Sequence, residues 1–429
     1  MKPQKFFLHS QLKAASEIWD EIRNTSTPAD RWLGGYFHKN RKRFGSRDRR
    51  FLAETIYALL RHRSLIEVWA QSFGEEKNPH FLVLLAAASE EFLSREEFQE
   101  QIASHFPKIK NSGIFYEAFN KRTLPESLHP ESGEEEFSLR FSFPRWIVRR
   151  WLQRFGLEEC RQLLSVCQTR PPLVIRVNSI KITRASLIER LKQKGWDVFE
   201  TKGSPFGIVF PERINVFDTD EFREGFFEIQ DEGSQKVGEL VDAKPGEIIW
   251  DICAGGGGKS LLMAAMMRNK GRIIATDIRP KKLEDLAKRA RRAGVMNIFP
   301  ANLERMSESR EVRKGFDKIL VDAPCSGTGT LRRNPDAKWK LDESQLKAYH
   351  QDQAAIIEKA LPYLKKTGRL YYATCSLEPE ENEEVMAEII QKHPELEPVP
   401  CGSQGELYFK LLPHQDSTDG FFLAAVENK

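Results

Sequence analysis

Residues 247–270 read EIIWDICAGGGGKSLLMAAMMRNK. Ile248, Ile249 and Trp250 make a short apolar run that ends at Asp251. Four glycines follow at 255–258, and the apolar residues beyond Lys259 have helical spacing. Strand, glycine loop and helix in that order bring backbone N–H groups up to an anionic or polar cofactor. A second apolar run, RIIATD at 272–277, ends in Asp277, an acid suited to the two hydroxyls of a cofactor ribose. A third, NIFPAN at 297–302, ends at Asn302, whose side chain can meet an adenine edge. Helices are expected over Lys259–Asn269, Pro280–Ala293, Glu343–Leu364 and Pro379–Lys392, and ELYFKLLP and GFFLAAV read as closing strands. The alternation predicts a doubly wound α/β domain from Asp231 onward.

Downstream, the apolar Ile319, Leu320 and Val321 lead into DAPCSGTGTLRRNPDAKW at 322–339. A polar loop at the carboxyl end of such a strand is where an open α/β sheet does its chemistry. This loop carries an acid, Asp322, and a thiol, Cys325; a second thiol, Cys375, ends the strand-like RLYYATCS. A lone cysteine is more often a small buried apolar residue than a reactive one. Two strand-end thiols beside an acid favour covalent catalysis on an electrophilic substrate. The competing reading of the glycine loop is a phosphate-binding P-loop, because GKS closes both patterns. That motif requires a first glycine separated by four residues from its final Gly-Lys; Cys253 stands there, and Asp277 would be left without a role.

Taken together, DICAGGGGKS, DAPCSGTGTLRRNPDAKW, ATCSLEPEEN, LLPHQDSTDGFF, PPLVIRVNSIK and FFEIQDEGSQ resemble the Sun-type (RsmB-like) RNA 5-methylcytosine methyltransferases over most of residues 140–429. The resemblance implies a Rossmann-like domain using S-adenosyl-L-methionine, with RNA, and small-subunit ribosomal RNA in particular, as partner. It implies cofactor contacts from Cys253, Ala254, Gly255, Gly256, Gly257, Gly258, Lys259, Asp277, Lys282, Asn302 and Asp322. It makes Cys375 the attacking thiol, Cys325 the group that assists release, and Asp322 the acid at ring nitrogen 3. The residues alone leave the two thiols interchangeable. Lys259 and Lys338 would fix a cofactor carboxylate or a substrate phosphate, while Arg332 and Arg333 would hold the RNA backbone beside a flipped base. Two positions depart from the pattern. Gly255-Gly256 replace Ala-Pro, which predicts a looser loop, and Asn302 replaces an acid, which predicts weaker cofactor binding. Two other classes remain: a methyltransferase-shaped RNA-binding or assembly factor without catalysis, and the P-loop nucleotide hydrolase. A scaffold would have no use for both thiols.

With 429 residues, two or three domains are expected. The net charge of +4 permits a nucleic-acid partner without requiring one. Six cysteines without a C-x-x-C pair or zinc-like spacing read as reduced thiols in a cytoplasmic protein, with no metal. The N-terminus lacks a signal-peptide apolar core, and the apolar FLVLLAAA at 81–88 is too short to span a bilayer. Residues 1–125 read as helices and resemble the family's NusB-like domain. Within them, RWLGGYFHKNRKRFGSRDRR interleaves aromatics with cations, and Arg41, Lys42 and Arg43 are its candidate RNA contacts. Residues 126–138 are polar and acidic and read as a flexible linker. A helical and RRM-like α+β module is expected over 139–230 and the methyltransferase domain over 231–429. A monomer is expected.

Overall fold

Apolar runs with polar loops at one end require a parallel sheet covered by helices on both faces. The computed structural model, which describes residues 5–110, 112–212, 214–302, 312–402 and 405–429, contains that sheet. The chain divides into two compact units, Met1–Thr169 with Leu331–Glu343, and Arg170–Thr330 with Ser344–Lys429.

The second unit opens with a small antiparallel sheet of β1 (Leu173–Val177), β2 (Phe199–Glu200), β3 (Gly207–Phe210) and β4 (Phe227–Ile229), ordered β2-β3-β1-β4. Helix Arg184–Gln193, capped by Thr183, packs Leu187 and Leu191 beneath it. The large sheet follows: β5 (Ile248–Asp251), β6 (Arg272–Ala275), β7 (Ile298–Pro300), β8 (Phe316–Asp322), β9 (Leu364–Thr374), β10 (Leu396–Val399), β11 (Phe409–Leu411) and β12 (Phe421–Asn428). Its order is β10-β12-β9-β8-β5-β6-β7, with β11 beside β12. Strands β5 to β9 run parallel, and β12 is antiparallel to β9. This is a doubly wound, Rossmann-like α/β fold. Ile249, Ile319, Leu320 and Val321 are wholly buried between its helical layers. The expected helices fall at Gly258–Met266, Pro280–Ala293 and Gln345–Ala360. The last is split into a 3-10 turn, Pro379–Glu381, and a helix, Glu383–Lys392.

The first unit is all-helical, built around Pro79–Ser89, whose residues 81–88 are buried on every side. An evenly apolar helix is stable only inside a bundle, which accounts for the apolar stretch at 81–88. On the neighbouring helix Ser46–Ser72, Leu52, Thr55, Ile56 and Leu59 share the buried face and Phe51 lies at its margin. Trp32, Tyr36, Phe37 and Phe44 stack on one another against this core instead of standing free for bases. Arg41 and Lys42 are exposed; Arg43 is half engaged, pairing with Glu17 at 3.1 Å. The expected linker at 126–138 contributes a helix, Gly133–Arg140. Its amide at Glu135 bonds to Ser132, and three acids favour the positive end of its dipole.

Lys338 corrects the reading of the catalytic loop's second half. It is buried, donates to the Arg61 carbonyl at 2.9 Å and lies 4.3 Å from the centre of the Phe143 ring, so it cannot meet a phosphate there. Its neighbours are fastened to the same helices. Trp339 Nε1 donates to Leu60 O at 2.7 Å, and the Ala29 amide donates to Asp336 at 2.9 Å. Burial pushes the Lys338 ammonium well below the ordinary lysine range; a desolvated cation–π contact, about 2 kcal/mol, offsets only part of that. The native state therefore binds fewer protons here than the unfolded chain, and stability should rise with pH toward the unfolded lysine value near 10. Urea unfolding of Lys338→Met at pH 7 and pH 9.5 should show a flatter rise than wild type, with a change below about 1.5 kcal/mol at pH 7. Equal slopes would contradict this account.

Candidate active site

From β5 the chain builds outward through β6 and β7, then returns to place β8 and β9 on the other side. Loops leaving β5 and β8 therefore diverge, and the crevice between them is the expected ligand site. A cavity of about 870 Å³ lies there. Of the expected residues, Cys253, Ala254, Gly255, Gly256, Gly258, Lys259, Asp277, Asp322, Cys325 and Cys375 line it. Gly257, Lys282 and Asn302 are not on its wall; Asn302 is exposed beyond β7. Arg332 and Arg333, in the first unit, are half-exposed.

The glycine loop turns tightly enough to need glycine at Gly257. Its φ is +79°, and a Cβ there would stand 2.4 Å from the Leu286 side chain. The looseness expected of Gly255-Gly256 is offset by partners from outside the motif. Arg289 Nη1 donates to Gly256 O at 2.6 Å and is held in turn by Glu228 of β4. Arg176, buried on β1, donates to Gly258 O at 2.5 Å and to Gln230. The small sheet thus grips the cofactor loop, and Ile229, Gln230 and Ser234 join the cavity wall. Sequence reading missed these groups, although the FFEIQDEGSQ stretch carried the signal.

Asp277 ends β6 facing the loop. Gly255 N donates to Oδ2 at 2.9 Å, and Arg279 donates through N and Nε to Oδ1 at 2.8 and 3.1 Å. Burial alone would raise this carboxyl, but the Arg279 bonds outweigh it and hold it below the usual range. The exposed Arg279 side chain must swing aside before two ribose hydroxyls can share the carboxylate. Cys253 is an inert thiol, pushed up to about 12 chiefly by burial. Asp251, beneath the loop, is pushed up to about 7 by burial against the pull of its Ser260 hydrogen bond.

The reactive end is compact. Lys259 Nζ donates to Asp322 at 2.7 Å. Burial would lower this ammonium, but the Asp322 carboxylate and the nearby Cys375 sulfur outweigh burial and raise it. Cys325 Sγ and Cys375 Sγ lie 3.4 Å apart. The hydrogen bond to Cys375, and then burial, hold the Cys325 thiol well above the ordinary cysteine range. Beneath them Glu381, wholly buried, accepts hydrogen bonds from Ser326 and Ser376. Two thiols, a carboxylate and an ammonium around a shared cavity suit addition to an electrophilic ring and its reversal. A P-loop is not favoured, because a loop amide is committed to Asp277 and the lysine to Asp322.

Residues 239–427 match the family model for 16S rRNA methyltransferase RsmB/F, and residues 143–217 match the ferredoxin-like domain of RsmF/B-like methyltransferases. The chain is 29% identical to the probable ribosomal RNA small subunit methyltransferase B of Bacillus subtilis, covering 89% of this chain and 91% of that one. It is also 29% identical to ribosomal RNA small subunit methyltransferase B of Yersinia enterocolitica, over 96% of each. The crystal structure of a methyltransferase homolog from Pyrococcus horikoshii superposes with a TM-score of 0.61 at 30% identity, covering 70% of this chain and all of that one.

Gly257→Ala should cost about 1–3 kcal/mol of stability through its left-handed backbone and the Leu286 clash. Chemical denaturation checks this, and an unchanged midpoint would show that the loop has another conformation.

Proposed function

Because the chain belongs to the RsmB/F family of 16S rRNA methyltransferases, we propose that it methylates carbon 5 of a cytosine in small-subunit ribosomal RNA through a covalent adduct between Cys375 and carbon 6. The observation that carries this reading is the pair of thiols 3.4 Å apart on the wall of a cavity shared with Asp322 and Lys259.

Carbon 5 of cytosine is a poor nucleophile until a group adds at carbon 6. A thiolate suits that step, being nucleophilic near neutral pH. Cys375 adds its sulfur to carbon 6 while Asp322 stabilises the charge that develops at ring nitrogen 3. Asp322 must share a proton with ring nitrogen 3 to do this, while the Lys259 ammonium stays hydrogen-bonded to it and holds it in place. S-adenosylmethionine, when bound, supplies the electrophilic methyl group that carbon 5 takes up. The glycine loop, Asp277 and the cavity wall fit such a cofactor in donor set and volume. Cys325 then assists removal of the carbon-5 proton, the carbon–sulfur bond breaks, and Cys375 leaves as thiolate.

RNA is held, on this reading, by Arg332 and Arg333 near the flipped base and by the exposed Arg41 and Lys42, with Arg43 contributing after release from Glu17. The division of labour follows the proposed parts: helical RNA-binding residues 1–125, the ferredoxin-like region within 139–230 gripping the cofactor loop, and chemistry in 231–429. The protein acts in the cytoplasm, where its free cysteines stay reduced. No described helix is long and apolar enough to cross a membrane.

Purified Cys325→Ala, incubated with ribosomal RNA and S-adenosylmethionine, should attack and methylate but stall before release. It should leave a protein–RNA complex that survives denaturing electrophoresis. Cys375→Ala should trap nothing and transfer no methyl groups. Trapping by Cys375→Ala and none by Cys325→Ala would reverse the roles of the two thiols.

A further inference from the structure

We propose that Glu381 is a positioning residue that sets the separation of the two catalytic thiols, an inference that rests on the reading of Cys375 as attacker and Cys325 as its partner in release. Glu381 belongs to the acidic run EPEENEE that follows Cys375. Glu383 and Glu384 occupy the first turn of the helix Glu383–Lys392, where they favour its positive end. Glu381 lies outside that helix and is fully buried. A carboxylate out of water persists only where its lone pairs are taken up.

The partners that take them up are the neighbours of both cysteines. Oε1 accepts from the Ser326 amide at 2.7 Å and from Gln353 Nε2 at 3.2 Å. Oε2 accepts from the hydroxyls of Ser326 and Ser376, each at 2.5 Å. Ser326 directly follows Cys325, and Ser376 directly follows Cys375. Gln353 also donates to the carbonyl of Pro324 at 2.9 Å, so the chain is tied down on both sides of Cys325. Asn382 donates to Ser376 O at 2.9 Å, fastening the other loop to the same turn. The two loops leave different strands, and Gly329 N and Thr328 Oγ1 bond across them farther from the thiols. Ser326 and Ser376 share a direct hydroxyl contact at 3.1 Å, and the buried carboxylate holds both of those serines, each next to a thiol. Reactions of this kind are sensitive to placement; a shift of about 1 Å can cost on the order of 100-fold in rate.

Phenylarsine oxide tests this without RNA, since its arsenic forms two As–S bonds and releases water only where two thiols are close. Wild type should take up one bridging arsenical, and neither Cys325→Ala nor Cys375→Ala should do so, as read by intact mass. Glu381→Ala should bridge far more slowly and lose on the order of 100-fold in kcat, while KM for S-adenosylmethionine stays unchanged. Glu381→Gln keeps one oxygen acceptor and can donate to the serine hydroxyls, so it should recover both bridging and kcat. Should Glu381→Ala fail to fold, Ser376→Ala releases one arm alone and should slow bridging in the same sense. Bridging by Glu381→Ala, or by Ser376→Ala, at the wild-type rate would overturn the proposal. So would a Glu381→Gln enzyme that bridges normally but is as inactive as Glu381→Ala, because the carboxylate would then act through its charge. Glu381-dependent bridging in a protein that never methylates RNA would contradict the catalytic reading and leave the positioning role standing.

Discussion

Strand β8 pairs with β9 in parallel; the register shifts between Phe316 and Lys318 and is then constant from Lys318 opposite Arg369 to Asp322 opposite Ala373. The bond from Ala323 N to Ala373 O, at 2.9 Å, extends that ladder into the loops, and Gly329 N returns to Cys375 O at 2.9 Å. A shift of one residue would turn every side chain of one strand to the opposite face of the sheet. Residues 319–321 of β8 and 370–374 of β9 are buried, so the register is strongly specified next to the loops. The meeting of Asp322, Cys325 and Cys375 therefore follows from strand pairing before any side chain forms a bond.

That pairing brings the loops together, and the bonds from Gly329 N to Cys375 O and from Leu377 N to Thr328 Oγ1, at 2.9 and 2.8 Å, join them past the ladder. The remaining order comes from buried polar groups. Glu381 ties the cysteine loops to each other, and the Arg289–Glu228 pair and Arg176 hold the glycine loop from the small sheet. Leaving one partner of such a buried pair alone costs more than the pair itself contributes. These groups consequently behave as a framework, with Lys259 and Asp322 at its open end.

Much of this was legible in the sequence. The strand ends at Asp251, Asp277 and Asp322, the glycine loop and both thiols could be read because each is a local pattern of a few residues. The supporting groups could not, because their partners are remote in the chain. Lys338 lies in a basic loop that suggests phosphate, yet its hydrogen-bond acceptor is 277 residues away and its side chain is buried. Ser326 and Glu381, 55 residues apart, lie in motifs that show no sign of each other when read separately. The helix expected over Pro379–Lys392 holds for Glu383 and Glu384, in its first turn, but not for Glu381, which lies in a separate 3-10 turn. Likewise, the aromatics at 32–44 are interleaved with cations in the sequence, but what they pack on, one another and the helical core beneath them, is supplied by remote residues. Periodicity shows which face a residue takes, not what will cover that face.

The central claim is that this geometry deposits a methyl group on carbon 5 of a ribosomal cytosine. Bisulfite sequencing of small-subunit ribosomal RNA from cells with and without the gene addresses it directly, since 5-methylcytosine resists deamination and unmodified cytosine does not. At least one cytosine should read as protected when the gene is present, and as converted when it is deleted. Identical conversion profiles from the two strains would contradict the account.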